Sequence, residues 1–263
     1  MAALEVGRSI VLRHSQFPFS NPVPHFLLHP KWFDCLWTTP QDRLRPMLRS
    51  CLLTLLALLI CCTALAAACW LYPGGSWTEL DAHGFSLLRN FWCDLLRSQA
   101  INGRDNFWSK QLASLGFAAL GLGLWPYWAV AASLLDAGRR GRVRLLGFVS
   151  AGCLWLTALL PSDRHPVLHG VVALGGGVLG MLAAFACVGA RLPAEARYSL
   201  RRISGWAAFS LALLNALLYV HVAYAAGTET LLHPSVQKFA TAALFVWMLS
   251  TVRVVACRLR GSG

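Results

Sequence analysis

The stretch CLLTLLALLICCTALAAACWLY, residues 51–72, contains no charged side chain. A helix rises 1.5 Å per residue, so about 20 apolar residues cross the roughly 30 Å hydrocarbon core of a bilayer. Inside lipid a helix satisfies its own backbone hydrogen bonds, which an isolated strand does not. The stretch therefore predicts a membrane-spanning helix.

Five more segments meet the same criterion of length and apolar composition. They are residues 111–135, 145–161, 166–190, 204–226 and 236–257. Pro126 interrupts the second, where we expect a kink, and Pro166 is placed to begin the fourth. The predicted fold class is all-α, a polytopic membrane bundle of six transmembrane helices.

The positive charges lie mainly on one predicted side of the membrane. Of the 23 Lys and Arg residues, seventeen fall in residues 1–50, 136–144, 191–203 and the C-terminal end. Because cytoplasmic loops are enriched in Lys and Arg, this pattern predicts that both termini lie inside. The predicted organisation is an interfacial cytoplasmic arm (1–50), a six-span domain (51–257) and a short tail (258–263).

Composition excludes several classes of protein. Hydrophobic residues make up 57% of the chain and charged residues only 13%, about half the share of a soluble domain. The net charge of +12 follows the predicted cytoplasmic loops, so it indicates an anionic leaflet and no nucleic-acid partner. We predict a multi-pass protein of the cell membrane. The absence of Asn-x-Ser/Thr sequons fits a bacterial inner membrane.

The first outer connection, residues 73–110, is the longest. Phe85, Leu88, Trp92 and Leu95 recur at helical spacing, which predicts a short amphipathic helix over 85–98 on the outer interface. Tyr72-Pro73-Gly74-Gly75 before it is a strong turn signal. In the fourth span, four glycines predict close helix packing: Gly175, Gly176, Gly177 and Gly180.

Ionisable residues inside or beside spans are candidate sites. Asp163, His165 and His169 lie where the third and fourth spans meet. His165 and His169 are four residues apart, so they could share a helix face and bind one metal ion. The alternative is that Asp163 or Ser162 caps the fourth helix and that His165 lies at the interface.

The fifth span carries Asn215 and Tyr219 on one face, with His221 turned away. Asn215 and Tyr219 are candidates for ligand binding or for interhelical hydrogen bonds, and His221 is a candidate metal ligand. Ser114 and Asp94 are candidates for catalysis. For Ser114 the alternative is a hydrogen bond to its own helix backbone.

Two family resemblances follow from short motifs. Tyr72–Gly75, Asn90–Leu95 and Pro161-Ser162-Asp163 with His169 resemble a mainly bacterial six-span family of unknown function near the Frag/DRAM/Sfk membrane proteins. Asn90–Asp94 followed by Phe107-Trp108-Ser109 is similar to a segment of the alkaline ceramidases, seven-span zinc hydrolases related to the adipoQ receptors. Their HxxxH in the last span has no counterpart here, since the last span has no His.

Two functional hypotheses result. In the first, the protein is not an enzyme and needs no cofactor, and an outer-half polar cluster packs helices or binds a membrane lipid or a small lipid-like ligand. In the second, it is a zinc-dependent hydrolase of lipid amides or esters, in which Asp94 or Asp163, His169 and His221 hold the metal and the metal activates water. The sequence leaves the oligomeric state open.

Overall fold

The computed structural model describes residues 40–189, 199–224 and 231–261. Within them lie six long helices, each containing a segment long and apolar enough to cross a membrane. They are α1 (Pro40–Leu71), α2 (Phe107–Ser133), α3 (Ala137–Leu159), α4 (Pro166–Val188), α5 (Leu200–Tyr224) and α6 (Leu232–Gly261). The six predicted helices and the all-α class are confirmed, and they fit an integral membrane protein. The N-terminal arm up to residue 39 lies outside the described residues.

The helix ends differ from the sequence-based bounds in ways that local chemistry explains. α3 begins at Ala137 and not near 145, because the Asp136 side chain accepts a hydrogen bond from the Arg139 N–H at 3.0 Å and caps the helix. The arginine-rich stretch 136–144 is therefore mainly the start of α3. α4 begins at Pro166 as predicted, and α2 continues through Pro126.

Small residues let neighbouring helices approach closely. On α2, a Cβ at Gly123 would collide with Ala57 of α1. Between α3 and α4, a Cβ at Gly176 would lie 2.6 Å from the Cβ of Cys153, and the Ser150 hydroxyl donates to the Gly176 carbonyl at 2.7 Å. Gly175 has open space around it, as does Gly177, so only part of the predicted glycine face packs.

Aromatic side chains fill the centre of the bundle. Tyr127 and Trp128 of α2 meet Trp247 of α6, with ring centroids 5.3–6.2 Å apart and all three residues buried. Edge-to-face contacts of this kind add to the stabilisation from apolar burial. α2 also packs against α3, α3 against α4, and α5 against α6.

The α1–α2 loop, residues 72–106, folds over one end of the bundle. It begins with a hairpin in which β1 (Gly74–Ser76) pairs antiparallel with β2 (Glu79–His83). Gly74 has φ +127° and Gly75 has φ +83°, and added Cβ atoms there would collide with Ala82 and Asn102. Only glycine fits both the conformation and the space, which explains the turn signal.

The amphipathic helix predicted over 85–98 is shorter than expected. The described helix is a single 3₁₀ helix, Trp92–Leu96, and a turn precedes it because the Asn90 N–H bonds the Ser86 carbonyl at 3.0 Å. Asn90 and Asp94, which the helical spacing places off the apolar face, are both buried. The helical spacing was misleading because these polar side chains bond the backbone of their own loop, which competes with a regular helix.

Candidate polar cluster and adjoining cavity

Asn90 lies at the centre of the hydrogen-bond network of the α1–α2 loop, and its side chain is fully buried. Its Nδ2 donates to the Gly75 carbonyl at 2.7 Å and to Asp94 Oδ2 at 3.1 Å. Its Oδ1 accepts from the Ser86 N–H at 2.9 Å. One amide therefore ties the hairpin, the turn and the 3₁₀ helix together.

Asp94, which is 3% exposed, completes this network. Its Oδ2 accepts from the Phe91 N–H at 2.8 Å, and its Oδ1 accepts from Trp77 Nε1 at 3.3 Å. Burial raises the pKa of Asp94, while the hydrogen bonds and the nearby Arg97 partly oppose that rise. The carboxyl acts here as a hydrogen-bond acceptor for the loop.

Cys93 lies beside it and is not an activated nucleophile. Burial, reinforced by the neighbouring Asp94, raises the pKa of the Cys93 thiol to about 12. A thiol with so high a pKa is protonated at neutral pH and reacts slowly.

Three polar side chains of α6 hold the loop against the bundle. Gln237 Oε1 accepts from the Trp92 N–H at 2.8 Å, and Thr241 Oγ1 accepts from Trp92 Nε1 at 3.1 Å. Lys238 Nζ donates to the Asn90 carbonyl. Positions 237, 238 and 241 lie on one face of a helix, so a single stripe of α6 fixes the backbone and the ring of Trp92.

Lys238 also contacts two aromatic rings. Its Nζ lies 4.6 Å from the centroid of the Trp92 ring and 5.5 Å from that of Phe85. The two rings stack on each other, with centroids 5.9 Å apart and planes inclined by 15°. A cation at these distances is attracted by the ring quadrupoles and holds the pair in place.

A second junction ties the loop to the turn between α3 and α4. Asp163 Oδ2 accepts from the N–H groups of Ser98 at 2.9 Å and Gln99 at 3.2 Å, and Ser162 Oγ donates to the Cys93 carbonyl at 3.3 Å. Burial acts to raise the pKa of Asp163, but these hydrogen bonds outweigh it and the pKa is lowered. Asp163 therefore binds the loop, and the prediction that it caps α4 is wrong.

The predicted pair His165 and His169 does not form a shared site. His165 precedes α4 and is exposed, whereas His169 is 5% exposed. His169 Nδ1 lies 2.7 Å from the Leu160 carbonyl, so that nitrogen carries the proton and donates. The imidazole therefore bonds the C-terminal end of α3.

The other candidates lie on α2 and α5, and the Tyr219 ring meets His233 of α6 with centroids 6.4 Å apart. His221 is exposed, and Asn215 and Ser114 are half-buried. Tyr219 is 42% exposed, and its hydroxyl packs where a Cβ on Gly170 would lie 2.6 Å away. Asn215 Oδ1 is buried without a hydrogen-bond partner. The contact with Gly170 places Tyr219 at the interface between α4 and α5.

Zinc binding gains no support from this arrangement. In residues 40–189, 199–224 and 231–261, no three His, Cys, Asp or Glu side chains are placed to hold a metal ion. Asp94 and Asp163 are engaged by loop donors, and His169 by a carbonyl. The hydrolase hypothesis stays a prediction.

An apolar cavity of about 540 Å³ adjoins the polar cluster that Asn90, Asp94, Gln237, Lys238 and Thr241 form. Its walls come from α1, from the α1–α2 loop and from α6. Its lining residues are Cys62, Leu65, Ala66, Cys69, Trp70, Phe85, Leu87, Trp92, Thr241 and Phe245. The cavity opens on the lateral surface of the bundle, because Cys62, Ala66 and Trp70 of α1 are exposed. Phe85 and Trp92 thus belong to both the cavity wall and the cluster.

Sequence reasoning missed Gln237 and Thr241, which join Lys238 on one face of α6. The signal was three polar residues on one face in the first turns of an otherwise apolar span. Phe85 and Trp92 were placed on an amphipathic helix, and their role as a stacked pair depends on the fold of the loop.

Comparisons of the chain with protein-family models, curated proteins and solved structures give no match. Both family resemblances therefore stay predictions.

Proposed function

We propose that this is a non-enzymatic membrane protein that binds a hydrocarbon chain of a membrane lipid in the cavity between α1, α6 and the α1–α2 loop. The observation that carries the proposal is the shared use of Phe85 and Trp92. The polar cluster fixes these rings, and the rings form part of the cavity wall.

The size and lining of the cavity support a lipid chain. Its volume of about 540 Å³ lies within the roughly 300–1,000 Å³ typical of small-ligand sites. Helix α1 has the most apolar of the six candidate spans, with a mean hydropathy of 2.6. A lipid chain gains no hydrophobic stabilisation by leaving other lipids, so its affinity depends on close packing against the walls. Rigid rings, held by hydrogen bonds, provide such packing.

Ala66→Trp tests this proposal. The indole would occupy the cavity, so we expect about ten-fold weaker binding of a defined phospholipid to detergent-purified protein, measured by native mass spectrometry. The matched control is Thr63→Trp, because Thr63 is exposed on the same helix and does not line the cavity. Equal lipid binding by both variants and the parent would contradict the proposal.

The proposal includes the predicted topology in a bacterial inner membrane. The α1–α2 loop lies on the outer side, and the start of α3 lies on the cytoplasmic side. A membrane-impermeant maleimide applied to intact cells, with the outer membrane permeabilised, should label Leu80→Cys and leave Ala137→Cys unlabelled. Both positions are exposed in the structure. Disruption of the cells should then allow both to react. Labelling of Ala137→Cys in intact cells would reverse the orientation.

A further inference from the structure

Lys238 is not itself a lining residue of the cavity, but its Nζ lies over two rings that are. Trp92 and Phe85, with centroids 4.6 Å and 5.5 Å from that Nζ, both line the cavity. Cys69, a third lining residue, is also close enough to Lys238 to interact with its charge. One turn further along α6, Thr241 lines the cavity itself. A molecule whose chain fills the cavity therefore brings its polar end near Lys238.

The charge of Lys238 is incompletely neutralised. Across the described parts of the chain, no carboxylate forms an ion pair with it, and its ammonium donates a hydrogen bond to the neutral carbonyl of Asn90. Asp94 is the acidic neighbour, and its two oxygens are already engaged by donors from Trp77, Asn90 and Phe91. A cation without a paired anion in such a site attracts an anion strongly. The surrounding apolar side chains form a medium of low dielectric constant, which screens the charge poorly.

The depth of Lys238 suits a lipid headgroup. It is six residues after the start of α6 at Leu232, which places it about 9 Å along the helix at 1.5 Å per residue. Its ammonium is held at the Asn90 carbonyl of the α1–α2 loop. In a membrane that α6 spans, a lipid headgroup lies near this end of the helix and the chains extend towards its middle.

We infer that the cavity selects lipids with a net anionic, phosphate-bearing headgroup, which Lys238 binds while the chain occupies the apolar cavity. This inference rests on the proposed function, since it assigns the headgroup of the lipid whose chain the cavity holds. The ammonium supplies a point charge for a phosphate oxygen.

The test compares two lipids with the same chains. Delipidated full-length protein is titrated with dioleoyl phosphatidylglycerol and with dioleoyl phosphatidylcholine at low salt, and binding is measured by native mass spectrometry. The expected result is at least ten-fold tighter binding of phosphatidylglycerol, with a smaller preference at high salt because ions screen the attraction. Equal affinities in the parent protein would overturn the inference without the need for any variant.

Lys238→Met should abolish the preference for phosphatidylglycerol, and because Lys238 also holds Phe85 and Trp92 in place, the affinity for both lipids should fall. Lys238→Arg should retain the preference. Lys110→Met is the matched control, since it removes a positive charge at the start of α2, a helix that supplies no lining residue of the cavity. A preference that survives Lys238→Met, or disappears in Lys110→Met, would contradict the assignment to Lys238.

Two further outcomes separate the inference from the proposed function. Binding of both lipids with equal affinity, abolished by Ala66→Trp, would remove the headgroup assignment and leave chain binding intact. Failure of both lipids to bind would remove the proposed function itself. Glycerol 3-phosphate has the phosphate without chains and is expected not to compete; full competition by it would show that the cavity does not contribute.

Discussion

Replacing Asn90 with alanine is expected to destabilise the protein by more than the roughly 1–3 kcal/mol that one unpaired buried polar group costs. The substitution leaves the Gly75 carbonyl and the Ser86 N–H without their partner and removes one donor from Asp94. The measurement is thermal unfolding of purified protein in detergent. Because the same network fixes Trp92, lipid binding should weaken as well.

Asp81→Ala is the control for this prediction, because Asp81 is an exposed residue of the same loop. Its melting temperature should stay close to that of the parent. Asn90→Asp gives a second check, since an ionised carboxylate cannot donate to Gly75 and would repel Asp94. Protonation restores one donor, so this variant should regain stability as the pH falls. If Asn90→Ala melts together with Asp81→Ala, the network does not hold the loop.

Gly147→Ala is expected to lower the unfolding free energy by about 1–3 kcal/mol through overpacking. A Cβ at this position would collide with the Trp128 ring, with Cδ1 only 2.6 Å away. Trp128 cannot move aside easily, because it is buried against Tyr127 and Trp247. The measurement is the shift in the thermal or denaturant midpoint in a fixed detergent.

Gly152→Ala provides the matched control on the same helix. A Cβ there meets nothing within 4 Å, and alanine is the better helix former by about 1 kcal/mol. This variant should be as stable as the parent or slightly more so. Equal losses at the two positions would mean that helix flexibility, and not contact with Trp128, decides the effect.

The glycines of α4 show how far sequence reasoning extended. Small residues predicted a packing face over 175–180, but glycine occurs on several sides of that helix, and the pattern did not specify which side packs. Gly176 faces Cys153 and Gly180 faces Ser150, whereas Gly175 and Gly177 face open space. Positions four residues apart share a helix face, but the partner that selects the face is a separate helix.

The candidate site was predictable in its types of residue and in its position at one end of the bundle. Asp94 and Asp163 were candidates from the sequence, and Asn90 belonged to the Asn90–Leu95 motif. All three are hydrogen-bonded within or against the α1–α2 loop. Their assembly was not predictable, because Asn90 and Lys238 are in contact although they are 148 positions apart in the chain. His165 and His169 differ in their surroundings, since one is exposed and the other is buried.

By itself, the sequence determined the number of helices, their approximate bounds and the all-α class. These follow from the length of the apolar runs and from the need to satisfy backbone hydrogen bonds in lipid, and both are local properties of the chain. Only the tertiary structure decided that residues 85–98 form a turn and a 3₁₀ helix, and that Lys238 meets Trp92 and Asn90. Those outcomes depend on long-range contacts, in which a buried polar group takes whichever partner the packed helices bring to it.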